Sequence, residues 1–148
     1  MPANSEPIYS RQGSVSNNAV STTSATFGAA AVTATADFTG ASANHVLAWT
    51  ADATNGGYIQ RLRLNAIGTN IATVARIYIN NGGANTTAAN NVLYGQVSLP
   101  ATTLNNAAAT TEVDYPMNLA LDPGFRIYVG LGTTVAAGWV PVGVGGKY

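Results

Sequence analysis

Cysteine is absent from the 148 residues, which excludes disulfides, thiolate catalysis and cysteine-based metal sites. Charge is scarce: six basic and six acidic side chains, 8% of the chain, balance to zero. No global field therefore steers the protein towards nucleic acid or an anionic membrane, and neither is expected as a partner. So little charge is unusual for a free soluble domain and implies that partners cover much of its surface. No apolar run approaches the ~20 residues that a membrane-spanning helix needs. The opening "MPANSEPIYSRQGSV" has no basic stretch followed by an apolar one; it does not read as a signal peptide, and synthesis in a cytoplasm is expected.

Catalytic residue types are equally thin. The single histidine, His45, opens the run "HVLAWTA". With no G-x-S-x-G elbow it has no triad to serve, and a strand-end histidine holding one hydrogen bond is the better reading. Glutamate occurs at positions 6 and 112 only. Glu112 and Asp114 sit about 7 Å apart along one strand, and arginine neighbours would keep both ionised, which does not suit a glycosidase pair. Asp37, Asp52 and Asp122 are isolated, unlike the converging oxygens of a calcium loop. "VGLGTT" at 129–134 lacks the third glycine and the helix of a dinucleotide fingerprint. Asn85-Thr86-Thr87 spells a glycosylation sequon, which a chain this rich in Asn and Thr carries by chance. The chain therefore reads as non-enzymatic, with no cofactor and no metal.

What the sequence does contain is alternation. Hydrophobic residues make up 47% of it, and from residue 24 onward they recur with period two. "AVTATADF", "HVLAWTA", "YIQRLRLNAI", "IATVARIYIN", "NVLYGQVSL", "TEVDYPMNL", "FRIYVGL" and "GWVPVGV" are eight such runs, rich in β-branched and aromatic residues. Breakers such as "TNGG", "NNGGANTTAANN", "PATTLNNAAA" and "LDPG" separate them. Residues 1–23 are polar and aperiodic, and are expected to form an extended arm laid on a neighbour rather than on their own domain. The predicted fold is all-β: an eight-stranded antiparallel sandwich, a jelly roll, over residues 24–148.

Jelly-roll order pairs the first, eighth, third and sixth runs in one sheet, and the second, seventh, fourth and fifth in the other. It places Arg61 and Arg63 beside Glu112 and Asp114, a favourable cross-strand set, with Leu62, Leu64 and Ala66 facing the core. In the fourth run Ile71, Thr73, Ala75, Ile77 and Ile79 are expected inside, with Val74, Arg76 and Tyr78 outside. It also brings "RIYI" at 76–79 beside "RIYV" at 126–129, so that Arg76, Tyr78, Arg126 and Tyr128 form one compact outward patch. Neither run carries an acidic residue, and Arg and Tyr are favoured interface anchors. A protein interface is expected there, joined by Ile8, Tyr9 and Arg11 of the arm.

The arm, the uncharged Ala/Thr/Asn-rich β-domain, and the passages "GGYIQRLRLNAIGTNIATVARIYINNG" and "LDPGFRIYVGLGTTVAAGW" resemble the decoration, or cement, proteins of tailed bacteriophages. That resemblance implies a structural protein on the capsid exterior that clamps neighbouring major capsid proteins, and a homo-oligomer, with a trimer favoured. A phage tail or fibre component has similar composition. A carbohydrate-binding sandwich would use Trp49 and Trp139 as sugar platforms, although their apolar strands favour core packing.

Overall fold

A run that is apolar at every second position must bury one face, and here the faces bury each other. The computed structural model describes residues 12–16 and 38–147, with side chains from 38 to 146. The strands are β1 (Gln12–Ser16), β2 (Val46–Thr50), β3 (Gly57–Ala66), β4 (Thr73–Asn80), β5 (Asn91–Leu99), β6 (Glu112–Leu121), β7 (Arg126–Leu131) and β8 (Trp139–Lys147). They form two antiparallel four-stranded sheets, ordered β1-β8-β3-β6 and β2-β7-β4-β5. The described helix content is one 3-10 turn, Ala88–Asn90.

The core lies between the sheets. Leu62, Leu64, Ile77, Ile127 and Val129 are fully buried, and the period of two that put them there puts Arg61, Arg63 and Asn65 on the opposite face. Trp49 and Trp139 are also fully buried. Trp49 follows a bulge in β2, where Ala48 is the extra residue opposite β7. Its ring lies against Gly57 of β3 and Gly143 of β8, where an added Cβ would come within 2.7–2.8 Å of it. Glycine in the facing sheet is what makes room for the indole. The β6–β7 turn follows its sequence closely: Phe125 N–H donates to Asp122 O at 3.1 Å, and Gly124 takes the φ of +76° that a side chain would resist.

Two expectations need correction here, and a third lies largely outside the described residues. Residues 12–16 do not leave the domain; they pair antiparallel with β8 from Gln12 opposite Lys147 to Ser16 opposite Gly143. An edge strand is held by its backbone ladder, so a polar sequence suffices there. Ile71 lies outside β4 and is 62% exposed, because the strand begins only at Thr73. Of the expected first run, residues 31–37 fall outside the described residues, and Phe38 stands in a turn.

The loops between strands gather at two ends. At one end the β2–β3 turn, the β4–β5 loop and the β6–β7 turn meet: Gly56 abuts Leu121 O, and Gly82 abuts Gly124 O. At the other, the β3–β4, β5–β6 and β7–β8 loops are joined by hydrogen bonds among Asn70, Thr102 and Gly138.

Candidate functional site

The arginines of β3 face the carboxylates of β6, as their alternation requires. Arg63 bonds Glu112, and its Nε lies 3.2 Å from Asp114 Oδ1, an ion-pair contact rather than an aligned hydrogen bond. Arg61 reaches Asp114 Oδ2 at 3.6 Å. The Glu112 hydrogen bond, with the Coulomb field of both carboxylates, raises the Arg63 pKa above its ordinary value despite a smaller opposing desolvation. All four side chains are 38–43% exposed, so screening keeps each pair weak. Arg61→Ala is expected to lower stability by less than ~1 kcal/mol in urea unfolding, with most of that loss gone at high salt.

The second set of arginines is arranged differently from the compact patch expected. Tyr78 and Tyr128 are direct partners on β4 and β7, but Arg76 faces Gly130 and Arg126 faces Asn80. In an antiparallel pair the two arginines thus stand at opposite ends, four residues or ~13 Å apart along the strands. Nor is Tyr78 a surface residue: it is 1% exposed. Residues 38–45 fold over it, with His45 stacked on its ring at 4.7 Å and 13°. Gly40 lies so close that an added Cβ would come within 2.6 Å of Tyr78 Cδ1. Phe38 covers Arg76, its ring 4.3 Å from the guanidinium carbon, a cation–π contact, and Arg76 Nε donates to Gln96 Oε1 at 3.4 Å. Arg126 and Tyr128 remain half-exposed. Ile8, Tyr9 and Arg11 lie outside the described residues.

His45 has the structural role its strand-end position suggested. Its Nδ1 lies 3.0 Å from Gly40 O, and its ring fills the space that Gly130 leaves open. The tryptophans cannot be sugar platforms, since both are wholly buried. Among the described residues no group of three His, Cys, Asp or Glu could hold a metal.

Of the six large apolar side chains left exposed among the described residues, Phe38, Val92 and Tyr94 lie elsewhere and three belong to the loops at the end built around Asn70. Ile67, Ile71 and Leu104 are 45%, 62% and 56% exposed. Asn70 is itself 4% exposed and holds this end together. Its Oδ1 accepts from Ala137 N–H at 3.0 Å and Gly138 N–H at 2.8 Å. Its Nδ2 lies 3.1–3.2 Å from Gly68 O, Thr102 Oγ1 and Gly138 O. The Asn70 and Thr102 backbones bond each other at 2.9 and 3.0 Å, and Leu104 N–H donates to Thr69 Oγ1 at 3.0 Å. Three loops that composition marks only as breakers are thus braced together, and two of them carry the exposed Ile67, Ile71 and Leu104. A lone asparagine in "IGTN" gives no sequence signal of that role.

The opposite end is polar and tied down by its own asparagines. Asn80 Nδ2 donates to Asn91 Oδ1 at 2.8 Å, and Asn91 Nδ2 in turn lies within 3.0 Å of Asn85 O and Thr87 O. Asn85, the sequon residue, donates its amide to Ser42 O at 2.9 Å, which occupies the nitrogen a glycan would need. A depression of about 180 Å³ opens here among Ile79, Asn81, Asn90, Asn91, Val92 and Phe125. That is well below the ~300–1,000 Å³ of ordinary ligand sites. Comparison of the chain with models of known protein families, with curated proteins and with solved structures finds no match.

Proposed function

We propose that this chain is a non-enzymatic structural protein of a phage virion, a decoration protein that binds the capsid exterior and clamps neighbouring major capsid proteins. The observation that carries this reading is the loop end bearing Ile67, Ile71 and Leu104. Exposed large apolar side chains gathered in one region mark protein–protein surfaces. The Asn70 network braces them beforehand, so little ordering entropy opposes docking. Near-absence of charge suits a domain covered on assembly, where charged residues are depleted from the buried centre. The strand orders β1-β8-β3-β6 and β2-β7-β4-β5 support our reading of the sandwich as a jelly roll. In the assembled particle the protein is a homo-oligomer, with a trimer favoured. Arg126 and Tyr128 remain available as a second contact on the outer sheet face, whereas Arg76 and Tyr78 are engaged by residues 38–45.

Purified protein added to mature capsids stripped of it is expected to bind saturably and to reduce DNA leakage on heating. Ile71→Asp with Leu104→Asp should lower occupancy at least tenfold, the effect of losing about 1.4 kcal/mol of contact. Its unfolding temperature should stay near that of the parent, since both side chains are already exposed. No binding of the parent protein to capsids would overturn the reading; binding unaffected by the pair would move the contact away from this end.

A further inference from the structure

The tripeptide Asn-Gly-Gly occurs twice, at 55–57 and at 81–83. Asparagine before glycine is the sequence most open to spontaneous deamidation, because the absent Cβ lets the next backbone nitrogen approach the side-chain amide. The two copies are locally identical, so any difference between them belongs to the fold.

At the second copy, each reacting group is engaged. Asn81 Oδ1 accepts from Gly83 N–H at 3.0 Å, and Asn81 Nδ2 lies 3.3 Å from Asn90 Oδ1. The nitrogen that would attack, Gly82 N, donates to Asn80 Oδ1 at 2.8 Å. The first copy stands in the short β2–β3 turn, where Ala53, Thr54 and Asn55 are all exposed. Asn55 uses its backbone N–H, which donates to Asp52 Oδ1 at 2.9 Å, while its side-chain amide has no hydrogen bond among the described residues. Gly56 is buried and closes the base of this turn through its bridge with Asp52, its N–H donating to Asp52 O at 3.2 Å, so opening that one bond frees the nitrogen while the Asn55 side chain needs no release.

We infer that Asn55 is a spontaneous modification site, and that the fold shields Asn81 from the same reaction. Gly56 N loses its proton and attacks Asn55 Cγ; the new C–N bond forms, the C–Nδ2 bond breaks, and ammonia leaves with that proton. Water then opens the resulting cyclic imide at either carbonyl, giving aspartate or isoaspartate. Nothing is oxidised or reduced, and solvent is the co-reactant. The product adds one negative charge to a chain whose net charge is zero, beside Asp52. The isoaspartate form also inserts an extra backbone carbon into the turn that the Asp52–Gly56 bridge closes. This end is opposite the Ile67, Ile71 and Leu104 surface, so the chemistry does not depend on the function proposed above.

The full-length protein is incubated at mildly alkaline pH and body temperature, and tryptic peptides are followed by mass spectrometry. Cleavage at the arginines separates the two sites, since Arg61, Arg63 and Arg76 lie between them. In the native protein the Asn55 peptide gains one mass unit at least about tenfold faster than the Asn81 peptide, whose bonds must open first. In urea the ratio falls towards one, because only the fold distinguishes two identical tripeptides. Asn55→Gln abolishes the fast conversion and leaves the slow one. Equal native rates, a faster Asn81, or a native Asn55 that stays intact while the urea-unfolded chain converts would each overturn the inference.

Discussion

Trp49→Ala is expected to lower the unfolding free energy by about 3–5 kcal/mol, read as a shift of the urea midpoint. The size follows from where the indole sits. Trp49 is fully buried among residues of both sheets, so removing it leaves a cavity that two antiparallel ladders cannot readily collapse into. Its indole N–H has no hydrogen-bond partner among the described residues, so the loss is one of packing and not of a polar contact. Gly143→Ala probes the same contact from the other side. A Cβ there would lie 2.8–2.9 Å from Trp49 and 3.0 Å from Ala48 O, an overpacking worth about 1–3 kcal/mol. Combined, the two substitutions should cost somewhat less than their sum, since the alanine at 49 removes the nearest contact of the new methyl, Cδ1, and leaves only the Cβ of residue 49 and Ala48 O against it. Strict additivity would mean that Gly143 matters for some reason other than the indole.

The legible part of this fold is the part set by strand periodicity. Leu62 and Leu64 against Arg61 and Arg63, the β3–β6 ion pairs and the Asp-Pro-Gly-Phe turn all follow from local pattern and charge. Alternation reports which two faces a strand has; it does not report what a distant loop lays over the outer one. Tyr78 alternates outward correctly and is nonetheless buried, because residues 38–45 return across β4 with His45 and Gly40. The same gap explains the divided arginines. Repeated "RIY" phrases suggest a cluster, yet antiparallel pairing that matches the tyrosines necessarily sends the arginines apart. β1 escaped notice since a backbone ladder on β8 needs no hydrophobic pattern.

Asn70 is the residue whose importance sequence hides most completely, and its replacement gives the second large effect. Asn70→Ala should cost about 2–4 kcal/mol, because the Ala137 and Gly138 N–H groups lose their acceptor and each buried orphan costs roughly 1–3 kcal/mol, less what entering water recovers. Asn70→Asp separates hydrogen bonding from shape. The remaining Oδ1 still accepts from Ala137 and Gly138, but the oxygen replacing Nδ2 now faces Gly68 O, Thr102 Oγ1 and Gly138 O. A carboxylate buried against carbonyl oxygens is disfavoured, so the folded-state pKa of the introduced group rises above its unfolded value. The folded state then binds more protons between those two values, and stability falls as pH rises through the folded one. The protonated acid restores one donor. Asn70→Asp should therefore lie closest to the parent near pH 4 and furthest from it at neutral pH, with the parent's own pH dependence subtracted at each point. A penalty of equal size at both pH values would show that the amide acts by filling space, and that the three loops are held by their backbones alone.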